Sequence, residues 1–421
     1  MVKFVAVALL LSAAFLPAQT QKTSPAQGTD QLRLTLILSR HGIRPPLAPT
    51  AILNQRAAEP WPEWEVPLGY LTPHGAEAIR PMGAYLRASM SGLIPAQGCP
   101  AEGDIYIYSD TDERNIMSSF HTFVGFEPGC APRPIHTVAP KGPRDPLFSP
   151  TAAPPAEAVA ADRRAYAGMD LAAYTSAAQN PELNELAKIL APDLAHPAAK
   201  PLLAEAMPLS LAVSLVEDFQ LEYIDAKPMT QVGWGRVDAA TLNRLMVLHA
   251  KGFALFARPR LAARSHVSNL MAHMLATLEQ AAGTVPVAGA IGPPNAHLVY
   301  ISGHDTNLFN IAGLLNLNWM AEGIANDTPP DSHLAFELWQ NRRSKQYSVR
   351  LVYRAQSIEQ LRSASALTAA NKPVEVELTA PGCTKTGLCP FAAFDKAVQG
   401  LLDPTYIKPE MPALQITPAN F

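Results

Sequence analysis

Three short apolar runs along the chain each stop abruptly at a polar cluster. Residues 34–38 lead into Arg40-His41, residues 105–108 into Ser109-Asp110-Thr111-Asp112-Glu113-Arg114, and residues 298–301 into Ser302-Gly303-His304-Asp305-Thr306-Asn307. Short apolar runs of this kind read as buried strands, and open α/β sheets carry their chemistry just beyond the carboxyl ends of such strands. If the three lie parallel in one sheet, their polar ends meet at one edge. Between the first two, Thr72-Pro73 opens a helix with a capping side chain and a proline at the first helical position, and Pro81 should kink or shorten it. Asp110 or Asp112 is placed to cap the helix that carries Arg114, Phe120 and Phe123.

Residues from about 141 to 230 are rich in alanine and proline and predict helices over 156–178, 182–190 and 208–224. Further helices are expected over 239–256 and 260–281, and period-two runs at 334–339, 347–353 and 374–378 read as strands. The pattern predicts an α/β fold with a mainly parallel central sheet flanked by helices. Residues 30–140 and 231–421 form the discontinuous main domain, and residues 141–230 a helical cap inserted over the sheet's carboxyl edge.

The amino-terminal stretch resembles a secretory signal over residues 1–20: Lys3, an apolar run to Leu16, then small residues near Ala18. The run is too short to span a bilayer, so no membrane association is expected once the signal is removed. Four cysteines, all beyond it, fit two disulfides in an exported chain, although spacing alone leaves three connectivities. The implied location is periplasmic or secreted. A net charge of −3 over 421 residues argues against a nucleic-acid partner, which would require a basic stripe. No Gly-rich nucleotide loop, His-Glu-x-x-His or metal-ligand spacing occurs, so neither metal nor organic cofactor is expected.

The first polar cluster sets an imidazole, His41, between the guanidiniums of Arg40 and Arg44. That combination suits attack on a phosphate: arginines grip the oxygens in planar fashion and a ring nitrogen takes the phosphorus. The other ring nitrogen must then be held protonated, which a local backbone carbonyl can do. Arg114 and His304 would complete the clamp. Asp305 is the candidate general acid, because a departing alkoxide needs a proton as its bond breaks; activity should therefore favour acidic pH.

Arg-His-Gly-x-Arg-x-Pro at residues 40–46 resembles the signature of the histidine acid phosphatases. The likeness extends to Trp61-Pro62-x-Trp64, Leu71-Thr72-Pro73, Asp145-Pro146-Leu147-Phe148, Gly233-Trp234-Gly235-Arg236, Gly303-His304-Asp305-Thr306-Asn307 and Asp327-Thr328-Pro329-Pro330, as in the bacterial periplasmic branch of phytases and glucose-1-phosphatases. The resemblance implies an exported acid phosphomonoesterase acting on small sugar or inositol phosphates through a phosphohistidine. It also implies disulfides Cys99–Cys130 and Cys383–Cys389. Asp110, Glu217, Arg264 and Thr306 match positions near the substrate, the first two by its distal part. Two departures matter. Leu47-Ala48 stands where phytases carry Thr-Lys, and His266 where they carry arginine, so the rim loses cations that dense phosphate would need. Residues 357–362 and 219–229 lean towards the glucose-1-phosphatases, whereas His304-Asp305-Thr306-Asn307 has the phytase form. A phosphomutase or a non-catalytic phosphate-ester binder are the competing readings, and nothing in the sequence fixes an oligomeric state.

Overall fold

The computed structural model describes residues 30–139, 144–193 and 195–417; the expected signal, residues 1–20, lies outside the described residues. The first apolar run is the heart of β1 (Asp30–Arg40), whose residues from Leu34 onward are buried. Its side chains alternate between faces: Leu34, Leu36 and Leu38 enter one apolar core and Ile37 another. The other runs form β2 (Ile105–Ser109) and β4 (Leu298–Gly303), with the short β3 (Ile135–Thr137) between them in sequence. β4 lies parallel between β1 and β2, and β3 continues parallel beside β2. Leu38 and Tyr108 both sit opposite Ile301, so the three polar clusters finish at the same edge. The convergence expected from the sequence is what the fold contains.

The later strands are β5 (Met320–Ala321), β6 (Ile324–Ala325), β7 (His333–Asn341), β8 (Tyr347–Ala355), β9 (Val374–Leu378), β10 (Cys389–Pro390) and β11 (Gln415–Thr417). β5 and β6 make a separate ribbon; the main sheet runs β10-β8-β7-β1-β4-β2-β3-β11, with β9 also on β8. β7 joins β1 antiparallel, β8 joins β7, and β11 joins β3 in the same sense. The sheet is therefore mixed. Parallel pairing, expected for most of it, is confined to β1, β4, β2 and β3. A five-residue link such as 342–346 between β7 and β8 can only return the chain antiparallel, because a parallel crossover needs a dozen residues or more.

The Thr72 hydroxyl caps helix Pro73–Ala78 by accepting from the Gly75 N–H at 2.9 Å, and the helix stops short of Pro81, which opens Arg80–Ser89 instead. The helix expected over 156–178 is broken by Gly168, whose φ of 68° ends Ala156–Ala167 before Leu171–Thr175 begins. Helices Glu182–Leu190, Pro208–Ile224, Ala239–Ala257 and Arg260–Gly283 follow as expected, and Asp305–Leu315 and Phe391–Leu401 are additional. One face of the sheet packs on Arg260–Gly283, Asp305–Leu315 and Phe391–Leu401, the other on Arg80–Ser89 and Glu113–Phe126. A further apolar core joins Leu186, Val216 and Phe219 to Ile43, Trp61 and Leu245, so the helices after β3 share their interior with the chain on either side. The disulfides are Cys99–Cys130 and Cys383–Cys389. No described helix is long and apolar enough to cross a membrane.

Candidate active site

At the end of β1 the backbone is held from both sides. The His41 N–H donates to the Gly303 carbonyl at 3.1 Å, and the His41 carbonyl accepts from the Asp331 N–H at 3.1 Å. Gly42 follows because a Cβ there would stand 2.8 Å from Leu71 Cδ1 and 3.1 Å from Ile79 Cγ2. Asn115 donates to the same Gly303 carbonyl at 2.6 Å, which ties helix Glu113–Phe126, and hence Arg114, to the end of β4.

His41 is buried, and its Nδ1 lies 2.8 Å from the Gly42 carbonyl. A carbonyl only accepts, so Nδ1 carries the proton and Nε2 is left with its lone pair. Burial, and then the positive charges of Arg114, Arg40 and Arg44, push the ring's pKa well below the ordinary histidine value. The shift favours the neutral form of the imidazole.

Arg40 is wholly buried. It donates to the Thr328 carbonyl at 2.5 Å, pairs with Glu217, and lies 3.1 Å from Asp305 Oδ2. Arg44 reaches the other Glu217 oxygen at 3.0 Å. Burial alone would raise the Glu217 carboxyl, but Arg44 and Arg40 outweigh it and hold the group at about 2. Glu217, expected near the distal part of a substrate, instead lies beneath the clamp with an oxygen on each arginine. Asp305 opens helix Asp305–Leu315; its Oδ1 accepts from the Thr306 N–H at 2.6 Å.

Arg114 donates to the Gly69 carbonyl at 3.2 Å and to Asp112 at 2.6 Å, and lies 3.5 Å from His304 Nδ1. Asp112 spends its carboxylate on this pairing rather than on a side-chain cap, while Asp110 lies 2.7 Å from His304 Nε2. The His304 and His41 ring centroids are 5.6 Å apart. His41, Arg40, Arg44, Arg114, His304 and Asp305 therefore come together, with Asp110 and Thr306 at the margin.

A cleft of about 500 Å³ opens from Arg114, His304 and Thr306 towards Phe253, Phe256 and Arg163. Arg264, expected at the substrate, is not among its lining residues: the guanidinium donates to the Gly400 carbonyl at 3.4 Å. Two residues on, His266 faces the cleft. At about 100° per residue one helix face cannot present both. The sequence reading also missed His249, fully buried with neither ring nitrogen hydrogen-bonded among the described residues, and with Nδ1 4.0 Å from Asp327 Oδ1 near Glu217 and Asp305. Its apolar helical neighbours made it look like ordinary core.

An imidazole ringed by guanidiniums at a strand end of this α/β fold, with a carboxyl opening the adjacent helix, suits phosphate-ester chemistry. Residues 31–354 match the histidine phosphatase superfamily (branch 2), and the chain belongs to that family. It is 32% identical to phytase AppA of Escherichia coli (strain K12), covering 90% of this chain and 94% of that one. It is 29% identical to the glucose-1-phosphatase of Salmonella typhimurium, over 94% and 97%. The Hafnia alvei phytase bound to myo-inositol hexakis sulphate superposes with a TM-score of 0.79 at 29% identity, covering 91% of this chain and 100% of that one. Within that family the chain is similar to a phytase and to a glucose-1-phosphatase alike.

Proposed function

We propose that the protein is an exported acid phosphomonoesterase working through a phosphohistidine at His41. The observation that carries this is the commitment of Nδ1 to the Gly42 carbonyl, which leaves a neutral Nε2 among Arg40, Arg44, Arg114 and His304. Nε2 attacks phosphorus, the bond to the leaving oxygen breaks, and Asp305 gives that oxygen its proton. Water then attacks the phosphohistidine, Asp305 takes a proton back, and the P–N bond breaks to release phosphate. The arginines are oriented before charge moves onto the phosphoryl oxygens, where preorganised donors contribute most.

The substrate is a small sugar or inositol phosphate. Residues 141–230 are read as a cap over the site, a reading supported by Glu217 and Arg163 reaching it from that segment. Export is supported by two disulfides and by the likeness to phytase AppA. The reading requires no metal, so a chelator should leave turnover unchanged. His41→Ala should lower turnover at least about 10³-fold. Wild type quenched during turnover of ³²P-labelled ester should carry acid-labile, alkali-stable label; absence of label, or retained turnover in the variant, sinks the mechanism. A panel of phytate, glucose 1-phosphate and phenyl phosphate at acid pH ranks the substrates.

A further inference from the structure

We propose that the side of the cleft remote from His41 is a second anion subsite, built by Arg163 with Arg144 and His266, and that the preferred substrate carries a ring and one further anionic group on its leaving side. The assignment rests on reading His41 as the phosphate-attacking group.

Arg163 projects from helix Ala156–Ala167 into the cleft, with its guanidinium 4.8 Å from the Phe256 ring centroid. Stacking uses the face of the guanidinium and leaves its in-plane N–H fork unspent, the geometry that grips a phosphate or carboxylate in bidentate fashion. The Nε atom is buried and has no partner among the described residues. The carboxylate nearest in sequence, Asp162, is spent elsewhere: it accepts from the Leu261 and Ala262 N–H groups at 2.7 and 3.3 Å, at the start of helix Arg260–Gly283. Burial pushes the Arg163 guanidinium below the usual arginine value, and Asp162 restores only part of it. A half-buried cation without a carboxylate in contact is costly as it stands, and an incoming anion relieves that cost.

Arg144 lines the same cleft, exposed and with no partner among the described residues. The His266 Nδ1 is held 2.8 Å from the Ala262 carbonyl, so Nε2 is the nitrogen left for a ligand. Across the cleft the carboxylates are already engaged, Asp112 by Arg114 and Asp110 by His304. A second anion therefore has one favourable place. Between the two ends, Phe148, Phe253 and Phe256 line the cleft, and Phe253 is stacked on Phe309 at 5.0 Å, so a ring meets a firm apolar wall. More than two anionic groups would set phosphate against these rings and against Asp110 and Asp112. The arrangement suits a bis-anionic, ring-bearing ester rather than a densely phosphorylated one.

The test compares kcat/KM at acid pH for adenosine 3′,5′-bisphosphate and adenosine 3′-monophosphate, with phenyl phosphate as reference. Wild type should favour the bisphosphate by about tenfold or more, the scale of one charge-assisted contact. Arg163→Gln should bring the bisphosphate-to-monophosphate ratio close to unity, and Arg163→Lys should keep part of it. A wild-type ratio near unity, or one that Arg163→Gln leaves intact, overturns the subsite while leaving the phosphatase standing. No turnover of any of the three esters removes the hydrolase reading and the subsite together.

Discussion

The floor of the site and the wall of its cleft are built on opposite terms. On the floor, Arg40 and Arg44 meet Glu217 and Asp305, two cations against two carboxylates, and all four are buried. They come from the end of β1 and from two helices far along the chain. On the wall, Arg114 pairs with an Asp112 whose side chain is 47% exposed, while Arg144 and Arg163 have no carboxylate in contact among the described residues. Buried pairs are expensive to break, whereas exposed ones contribute about 0–1 kcal/mol. Folding therefore fixes the floor before any ligand arrives, and the wall is free to answer to whatever the ligand brings. On the proposed function, reaction type belongs to the first region and substrate choice to the second, with Arg114 serving both.

The comparison can be broken most decisively at Asp305. Asp305→Asn should lower turnover of alkyl phosphates by about 10²–10⁴-fold, yet cost much less for p-nitrophenyl phosphate, whose leaving group needs no proton. Equal losses on both would remove Asp305 as the acid. Next is Glu217→Gln, which takes from Arg40 and Arg44 the carboxylate they share. It should destabilise the protein by about 3–5 kcal/mol in urea unfolding, against about 1 kcal/mol or less for Asp112→Asn on the wall. Similar costs would erase the distinction between the regions. Because Glu217 is held at about 2, below its ordinary 4.5, its contribution is present above pH 4.5 and lost as pH falls towards 2.

A smaller effect with the opposite sign comes from the same helix. Burial pushes Glu222 up to about 8, with the Gly233 N–H opposing, and its Oε1 has no partner among the described residues. A raised carboxyl supports folding below its unfolded value and withdraws that support as pH climbs through the folded one. Glu222→Gln, which mimics the protonated form, should match wild type in thermal unfolding at pH 4 and exceed it at pH 8. No gain at pH 8 would show that Glu222 is not buried as a neutral acid. The smallest shift in pH dependence comes from the arginine that the wall shares with the phosphate clamp. Arg114→Gln removes a cation that depresses His41, so the acid limb of kcat/KM should move to higher pH; an unmoved limb would mean that Arg114 does not act on the ring.

Much of the floor was legible because its chemistry follows directly on buried apolar runs: Arg40-His41 after β1, His304-Asp305 after β4. Glu217 was not legible in its true place. Helix Pro208–Ile224 is buried continuously from Leu215 to Ile224, so no polar stripe says which way a carboxylate points. The antiparallel flanks were seen as strands but not as partners, because a period of two reports which face is buried and not which neighbour is paired. On the wall, Arg163 had no signature within an alanine-rich stretch expected to be helical. It gained meaning only once Phe256 and Asp162 were seen around it.

The middle position of β4 has a consequence for the order of events in synthesis. The strand that seats the nucleophile, through the Gly303 carbonyl, is made well after the nucleophile itself. A growing chain passes most of its length with the His41 backbone N–H unanchored, and an interrupted one never acquires that bond. Gly303, His304 and Asp305 are all made in the last third of the chain, so the site cannot be assembled before then.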